Sequence, residues 1–496
     1  MSELRIEAKE RNRSGNCATA SFRPQLLLLP VCAAILLGLL LFRPAQGLSS
    51  AGTVKVHPGD DLQALVNAHP NGTSFVLDSG VYRQKSVIPR DGDSFLGNPG
   101  AVLSGAVPLT QFSREDGYWT TKVPVQGREQ YRGTCDQTHP ACKYPEDLFI
   151  DDVPLQRVGQ QSSVSMQKWY LDYGTGKIYL GEDPQGHTVE LSVASYAFSG
   201  AAGDVTIRGL TIEKYADTAG DGAIQGQSAE GRLSQNWVVE KNTIRLNHGM
   251  GIRLGNGMKV VDNTIIDNGQ MGMGGGGTGI LVQGNEIARN NYAGYSYGWE
   301  AGGTKFAFTH DLVVRNNYVH DNGGPGLWTD IENVNTLYEH NHTKSNKVAG
   351  ILHEISHRAI IRDNTIESDG FDGPGRTSPW YGGGIVITAS DDVEIYGNTV
   401  TDCMNGIVGL QPTRSNQRGE PYLLQRLYVH DNVITQQQGV AAGIVESGLS
   451  DNAIFTSWSN RFTNNTFHLA DPSSRYFAWM NGFQSIVQWQ STSHQN

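Results

Sequence analysis

From about residue 200 onward the chain repeats one short pattern: two or three β-forming residues, one or two polar residues, an Asn, any residue, and usually an apolar one. Val238-Val239-Glu240-Lys241-Asn242-Thr243-Ile244 is one copy and Val260-Val261-Asp262-Asn263-Thr264-Ile265 the next. The Asn returns at Asn285, Asn317, Asn341, Asn364, Asn398, Asn432 and Asn465. The copies lie roughly 22 residues apart, or that plus a loop of about ten, which is the length of one turn of a solenoid. A chain built this way folds as stacked coils.

Each copy also contains a strand that opens with Gly and an aliphatic residue, as in Gly251-Ile252, Gly279-Ile280, Gly326-Leu327, Gly350-Ile351, Gly384-Ile385, Gly406-Ile407 and Gly443-Ile444. No sustained 3.6-residue apolar period is present, and strand alternation sends the aliphatic residue into the core. The Asn at its fixed place belongs at a turn, where its amide can bond backbone groups of its own and neighbouring coils. These Asn residues are read as an internal ladder with no part in chemistry. The fold class is therefore all-β, a parallel β-helix. Sixty glycines and only 18% charged residues suit many short strands with tight turns.

The flanks divide the chain further. Residues 26–42 are an apolar run preceded by Arg5, Lys9, Arg11, Arg13 and Arg23, so 1–50 reads as a signal peptide or signal anchor, with cleavage favoured, and the remainder as exported: secreted, periplasmic or at the cell surface. Residues 51–110 are read as the N-terminal cap and first coils. Within them Pro58-Gly59-Asp60-Asp61-Leu62-Gln63-Ala64-Leu65-Val66 forms a helix with an Asp cap that closes the open end of the solenoid. Residues 111–195 break the repeat and read as an inserted antiparallel module around the hairpin of Trp169 to Leu180. The helix then runs over 196–475, and 476–496 is a tail. Cys135 and Cys142 stand close together in a polar stretch and could pair, while Cys403 is alone.

A net charge of −11 argues against a nucleic-acid partner and against a polyanionic substrate held by long-range attraction; a neutral oligo- or polysaccharide fits better. The candidate chemistry lies on the Gly-opened strands. Gly326-Leu327-Trp328-Thr329-Asp330 and Gly350-Ile351-Leu352-His353-Glu354 place Asp330 and Glu354 at the same step of adjacent coils. Parallel strands stack about 4.8 Å apart. A retaining glycosidase needs its nucleophile and acid/base about 5–5.5 Å apart, whereas an inverting enzyme needs a wider gap. Glu300, Trp299 and Lys305 precede this pair in one loop, Trp328 lies two residues before Asp330, and Trp380-Tyr381 lies in a later loop. Aromatic planes beside carboxylates suit a neutral sugar. Glu332 is a weaker acid candidate. His353 and His357 flank Glu354, but the segment is a strand and its turn and not the helix a zinc protease motif needs, so neither metal nor cofactor is called for.

The Asn-punctuated coils resemble the pectate-lyase-like right-handed β-helix superfamily over about residues 200–470. At Trp328-Thr329-Asp330, His353-Glu354-Ile355-Ser356 and Glu300 the sequence resembles a narrower group, the retaining β-xylosidases of glycoside hydrolase family 120. That resemblance implies Asp330 as nucleophile, Glu354 as acid/base and Glu300 as a substrate-binding acid. Trp299, Trp328, His353, Lys305 and Trp380 complete the expected substrate-binding set. Two other readings stand beside it. A polysaccharide lyase or uronate epimerase would use Lys305 or Arg253, with Asp369 and Asp372 at a calcium site, although no basic cluster accompanies the acids in the sequence. A non-catalytic glycan-binding surface protein would need neither acid. Sugar, linkage and oligomeric state are not encoded in any of these features.

Overall fold

Three short strands and three tight corners make each coil. In one representative coil Lys259–Val261 leads through Asn263 to Thr264–Ile266, then through Asn268 to Met271–Thr278. Each strand pairs in parallel with its counterpart one coil on, as in Val260 with Val282, Ile265 with Ile287 and Met273 with Thr304. This computed structural model describes residues 52–124, 132–371 and 382–493. The apolar segment 26–42, the basic residues before it, and Asp372, Trp380 and Tyr381 lie outside the described residues.

Among the described residues the stacked strands join into parallel sheets of 24 and 12 strands. The larger covers two of the three faces, because long strands such as Gly302–Arg315 bend round a corner and pair with strands on both. Inside, like residues stack on like: Phe75, Phe95 and Phe198 form one aromatic column, and Ile244, Ile265 and Ile287 belong to the same continuous core. Full burial of one such aliphatic side chain contributes roughly 1.5–3 kcal/mol.

The Asn ladder is continuous from Asn242 to Asn465. Asn317 is typical: its Nδ2 donates to Val282 O and to Asn341 Oδ1, while its Oδ1 accepts from the backbone N and the Nδ2 of Asn285. A second ladder at the next corner was not anticipated. It joins Asn247, Asn268, Asn290, Asn322, Asn346 and Asp369. Gly326 and Gly350 sit against this ladder, as do Gly272 and Gly303, whereas Gly279 precedes the strand Leu281–Gln283 on another face and has open space around it. A Cβ on Gly326 would meet Asn346 Nδ2 at 2.7 Å, and one on Gly350 would meet Asp369 Oδ2 at 2.5 Å, so the ladder and these two glycines are one packing requirement. Asp369 is fully enclosed there, bonded to Thr343 and Asn346. It is a ladder rung, which removes it from the calcium-site reading.

Both ends of the solenoid are closed. The N-terminal helix Leu62–Ala68 is capped by Asp61, whose side chain accepts from Ala64 N at 3.0 Å, and it buries Leu62 and Val66 against the first coils. Residues 476–493, read above as a tail, fold into the strands Phe477–Trp479 and Gly482–Gln484 and the helix Ile486–Ser493, with Trp489 packed on Phe462, Phe477 and Trp479. The antiparallel module runs from Ala106–Leu109 to Val189–Ser192. Its aromatic residues serve its own core, where Trp169, Leu171, Ile178 and Leu180 are buried together. Lys214 fixes the module to the helix by donating to both Asp152 and Glu190. Cys135 and Cys142 form a disulfide, and Cys403 is buried and free.

Candidate active site

The Gly-opened strands make one face of the solenoid, and its middle coils carry the candidate acids. Leu327–Asp330 and Ala349–Glu354 pair residue for residue: Leu327 with Ile351, Trp328 with Leu352, Thr329 with His353, Asp330 with Glu354. Leu327 and Ile351 lie in the central core, so Trp328, Leu352, Asp330 and Glu354 project from the outer side. The two carboxylates thus leave adjacent strands at a backbone spacing of about 4.8 Å. Immediately after them the chain turns sharply through Ile331 and Ile355, at φ of 68° and 37°. Bulky β-branched residues seldom adopt this region. Bonds between coils hold the corner: Asn333 Nδ2 donates to Ser356 Oγ and Ser356 N to Ser390 Oγ, each at 3.0 Å.

The two acids have different partners. Asp330 Oδ2 is 3.0 Å from Lys305 Nζ, and its Oδ1 is buried with no partner. Lys305 comes from the preceding coil and also faces Glu300 Oε1 at 3.5 Å and the carbonyl of Trp299 at 3.4 Å. Glu354 Oε1 instead accepts from Arg414 Nη1 at 2.7 Å. Burial and the neighbouring Asp330 charge push the Glu354 carboxyl up to about 7, against the opposing pull of Arg414 and Lys305. Each acid therefore meets its own cation, and Glu354 is held where it can carry a proton at neutral pH.

The remaining expected contacts sort by where their side chains point. Glu300 is the most open of the acidic trio, with its side chain 28% exposed, and Gln270 donates to its carbonyl. Trp328 is buried, and the Lys305 ammonium sits 4.4 Å from its ring centroid, so that face of the ring is occupied by the cation. The ring of Trp299 packs with Tyr295 in the cluster around the disulfide, and its carbonyl is what reaches Lys305. His353 does not serve as a substrate contact. It is wholly enclosed within the coil, its Nδ1 2.7 Å from Thr329 Oγ1, and burial depresses its pKa to about 3, so it is a neutral core residue. His357 lies on the next face, paired with Asp391. Trp380 lies outside the described residues.

Sequence reasoning missed Arg414, which reaches Glu354 from a loop 60 residues away. It also missed Tyr422, which donates to Glu332 and covers Ile331, Ile355 and Ala389. The expectation that no basic cluster accompanies the acids fails for the same reason: Lys305 and Arg414 are brought to them by stacking and by a loop, not by adjacency in sequence.

Comparison with known proteins agrees with this architecture. The sequence profile of the right handed beta helix region matches residues 228–400. The chain is a right-handed parallel β-helix. XylC, solved in complex with xylose, superposes with a TM-score of 0.59 at 16% identity, covering 84% of this chain and 82% of XylC. The A-module of mannuronan C-5 epimerase AlgE4 from Azotobacter vinelandii gives 0.44 at 13% identity, with 82% and 90% covered. The catalytic unit of a GH87 α-1,3-glucanase from Streptomyces thermodiastaticus gives 0.42 at 13%, with 88% and 71% covered. At these identities the likeness is one of fold. No curated protein matches the chain.

Proposed function

We propose that this β-helix is a carbohydrate-active enzyme, a retaining glycoside hydrolase that acts on a neutral glycan or oligosaccharide in the manner of a β-xylosidase. The observation that carries the reading is the direct pairing of Asp330 with Glu354, one bound to Lys305 and the other raised to about 7. Paired carboxyl groups of which one is raised toward neutral pH divide the roles of nucleophile and acid. In the first step Asp330 attacks the anomeric carbon, the glycosidic C–O bond breaks, and the leaving oxygen takes its electron pair and a proton from Glu354. In the second, Glu354 as carboxylate takes a proton from water, the water oxygen attacks the same carbon, and the Asp330 ester is released. Glu300 is assigned to sugar hydroxyls, and Lys305 fixes Asp330 and Glu300 together.

The xylose in the XylC structure fits a sugar ligand on this fold. The disulfide and the apolar segment 26–42 support an exported protein. A lyase or epimerase reading gains from the cations near the acids, but Lys305 faces two carboxylates and would have to leave both to act as a base. The test is a screen of aryl glycosides, pentosides first, with wild type, Asp330→Asn and Glu354→Gln. Hydrolysis by wild type alone supports the reading. An unsaturated product absorbing in the ultraviolet points to a lyase, and sugar binding by all three proteins without turnover points to a non-catalytic glycan-binding protein.

A further inference from the structure

The corner that follows the acids forms an outward apolar ridge that continues past them. Phe308, Glu332, Ile355 and Ala389 occupy corresponding corner positions on successive coils, each with positive φ and each donating its backbone N to the next coil, and Ile331 is an additional corner residue before Glu332 that accepts from Phe308 N. Tyr422 covers Ile331, Ile355 and Ala389. Phe308 is left uncovered, 55% exposed. It is a large aromatic side chain held in a backbone region that a bulky residue seldom adopts, and packing does not explain its presence there.

Phe308 borders a cleft of about 580 Å³ whose other walls are Glu332, His357, Tyr422 and the loop carrying Asn416 and Arg418. Phe308, Ile331, Pro421 and the Tyr422 ring thus give it apolar surface, and Glu332, His357, Asn416, Arg418 and Glu420 give it polar groups. Glu332 is fixed by the Tyr422 hydroxyl and lies 3.8 Å from His357 Nε2, His357 is held by Asp391, and Asn416 is locked by its own turn. These groups are held in place before any ligand arrives. An apolar plane facing polar walls matches a sugar ring, which has an apolar C–H face and a hydroxyl rim.

The place of the cleft gives it a side. Lys305 and Glu300 reach the carboxylates from the preceding coil and Trp328 lies on the Asp330 strand itself, whereas this cleft opens beyond the corner at Ile331. The loop forming its far wall also supplies Arg414 to Glu354, the group assigned to protonate the leaving oxygen. We propose that the cleft between Phe308 and residues 416–422 is a leaving-group subsite that holds a sugar ring of an oligosaccharide substrate, with Phe308 as its stacking platform. This rests on the hydrolase reading and adds to it a preference for substrates longer than one sugar.

The test compares β-xylosyl fluoride, whose leaving group is too small to fill the cleft, with xylotriose on wild type, Phe308→Ala and Phe308→Trp. Loss of the platform is expected to raise KM for xylotriose about ten-fold while leaving kcat/KM on the xylosyl fluoride within about two-fold, and Trp is expected to restore the wild-type value. Equal effects of Phe308→Ala on both substrates, with an unchanged melting temperature, would overturn the subsite. If wild type hydrolyses neither compound, the hydrolase reading has failed separately. Calorimetric titration with xylotriose then decides the cleft: weaker binding by Phe308→Ala supports it, and equal binding overturns it.

Discussion

Arg414 Nη1 donates to Glu354 Oε1 at 2.7 Å, although 60 residues separate the two in the chain. A cation on the group assigned as acid opposes the rise that burial and Asp330 impose on it. The balance leaves Glu354 at about 7, so kcat/KM is expected to fall as pH rises through that value and the acid loses its proton. Removing the opposing cation in Arg414→Gln shifts this alkaline limb to higher pH. A pH–rate profile checks both, and a limb that stays in place in the variant would remove Arg414 from the account.

Lys305 joins Asp330 and Glu300 from the neighbouring coil, so the nucleophile is part of a fixed ion cluster. Asp330→Asn and Glu354→Gln are each expected to lower kcat by about a thousand-fold or more on an aryl glycoside. Asp330→Ala is expected to recover part of that rate with azide or formate, which can take the place of the missing carboxylate. The matching Glu300→Gln change is expected to raise KM more than it lowers kcat.

The first Asn ladder carries stability. Asn317→Ala removes the side-chain donor to Val282 O and the acceptor of the Asn285 backbone N, and leaves Asn341 Oδ1 and Asn285 Nδ2 each with one bond fewer. A loss of about 1–3 kcal/mol is expected. It is read as a lower urea midpoint at unchanged slope.

Asp369 ends the second ladder, and burial raises its carboxyl from 3.8 to about 7. A folded-state pKa above the unfolded one means that the native state holds the extra proton. Its stabilising contribution is full below about pH 4 and is lost as pH rises through about 7. Asp369→Asn places at this rung the residue found on the five before it and cannot ionise. The variant is expected to lose less melting temperature than wild type between pH 5 and pH 8.

The coils were legible in the sequence because they repeat their corner chemistry: Asn at the turn and, in the middle coils, Gly where a Cβ would strike a rung. The second ladder carried a signal of the same kind, since Asn247, Asn268, Asn290, Asn322 and Asn346 follow the first-ladder residues at a constant offset, but the residues around them vary. Asp330 and Glu354 could be aligned because register follows from the repeat. Arg414 and Tyr422 could not, because they lie in a loop that obeys no repeat. Strand alternation already sets His353 opposite to Glu354 in the sequence, and it lies inward, where Thr329 holds it, so its place in the substrate-binding set fails. Trp328 is expected as a sugar contact from its place two residues before Asp330, but Lys305 occupies its face.

The central claim is that stacking brings Asp330 and Glu354 together as nucleophile and acid for a double displacement. It is tested most directly by proton NMR of the sugar released in the first minutes of hydrolysis, before mutarotation. The account predicts that the product keeps the anomeric configuration of the substrate. Release of the opposite anomer, or of an unsaturated sugar, would contradict it.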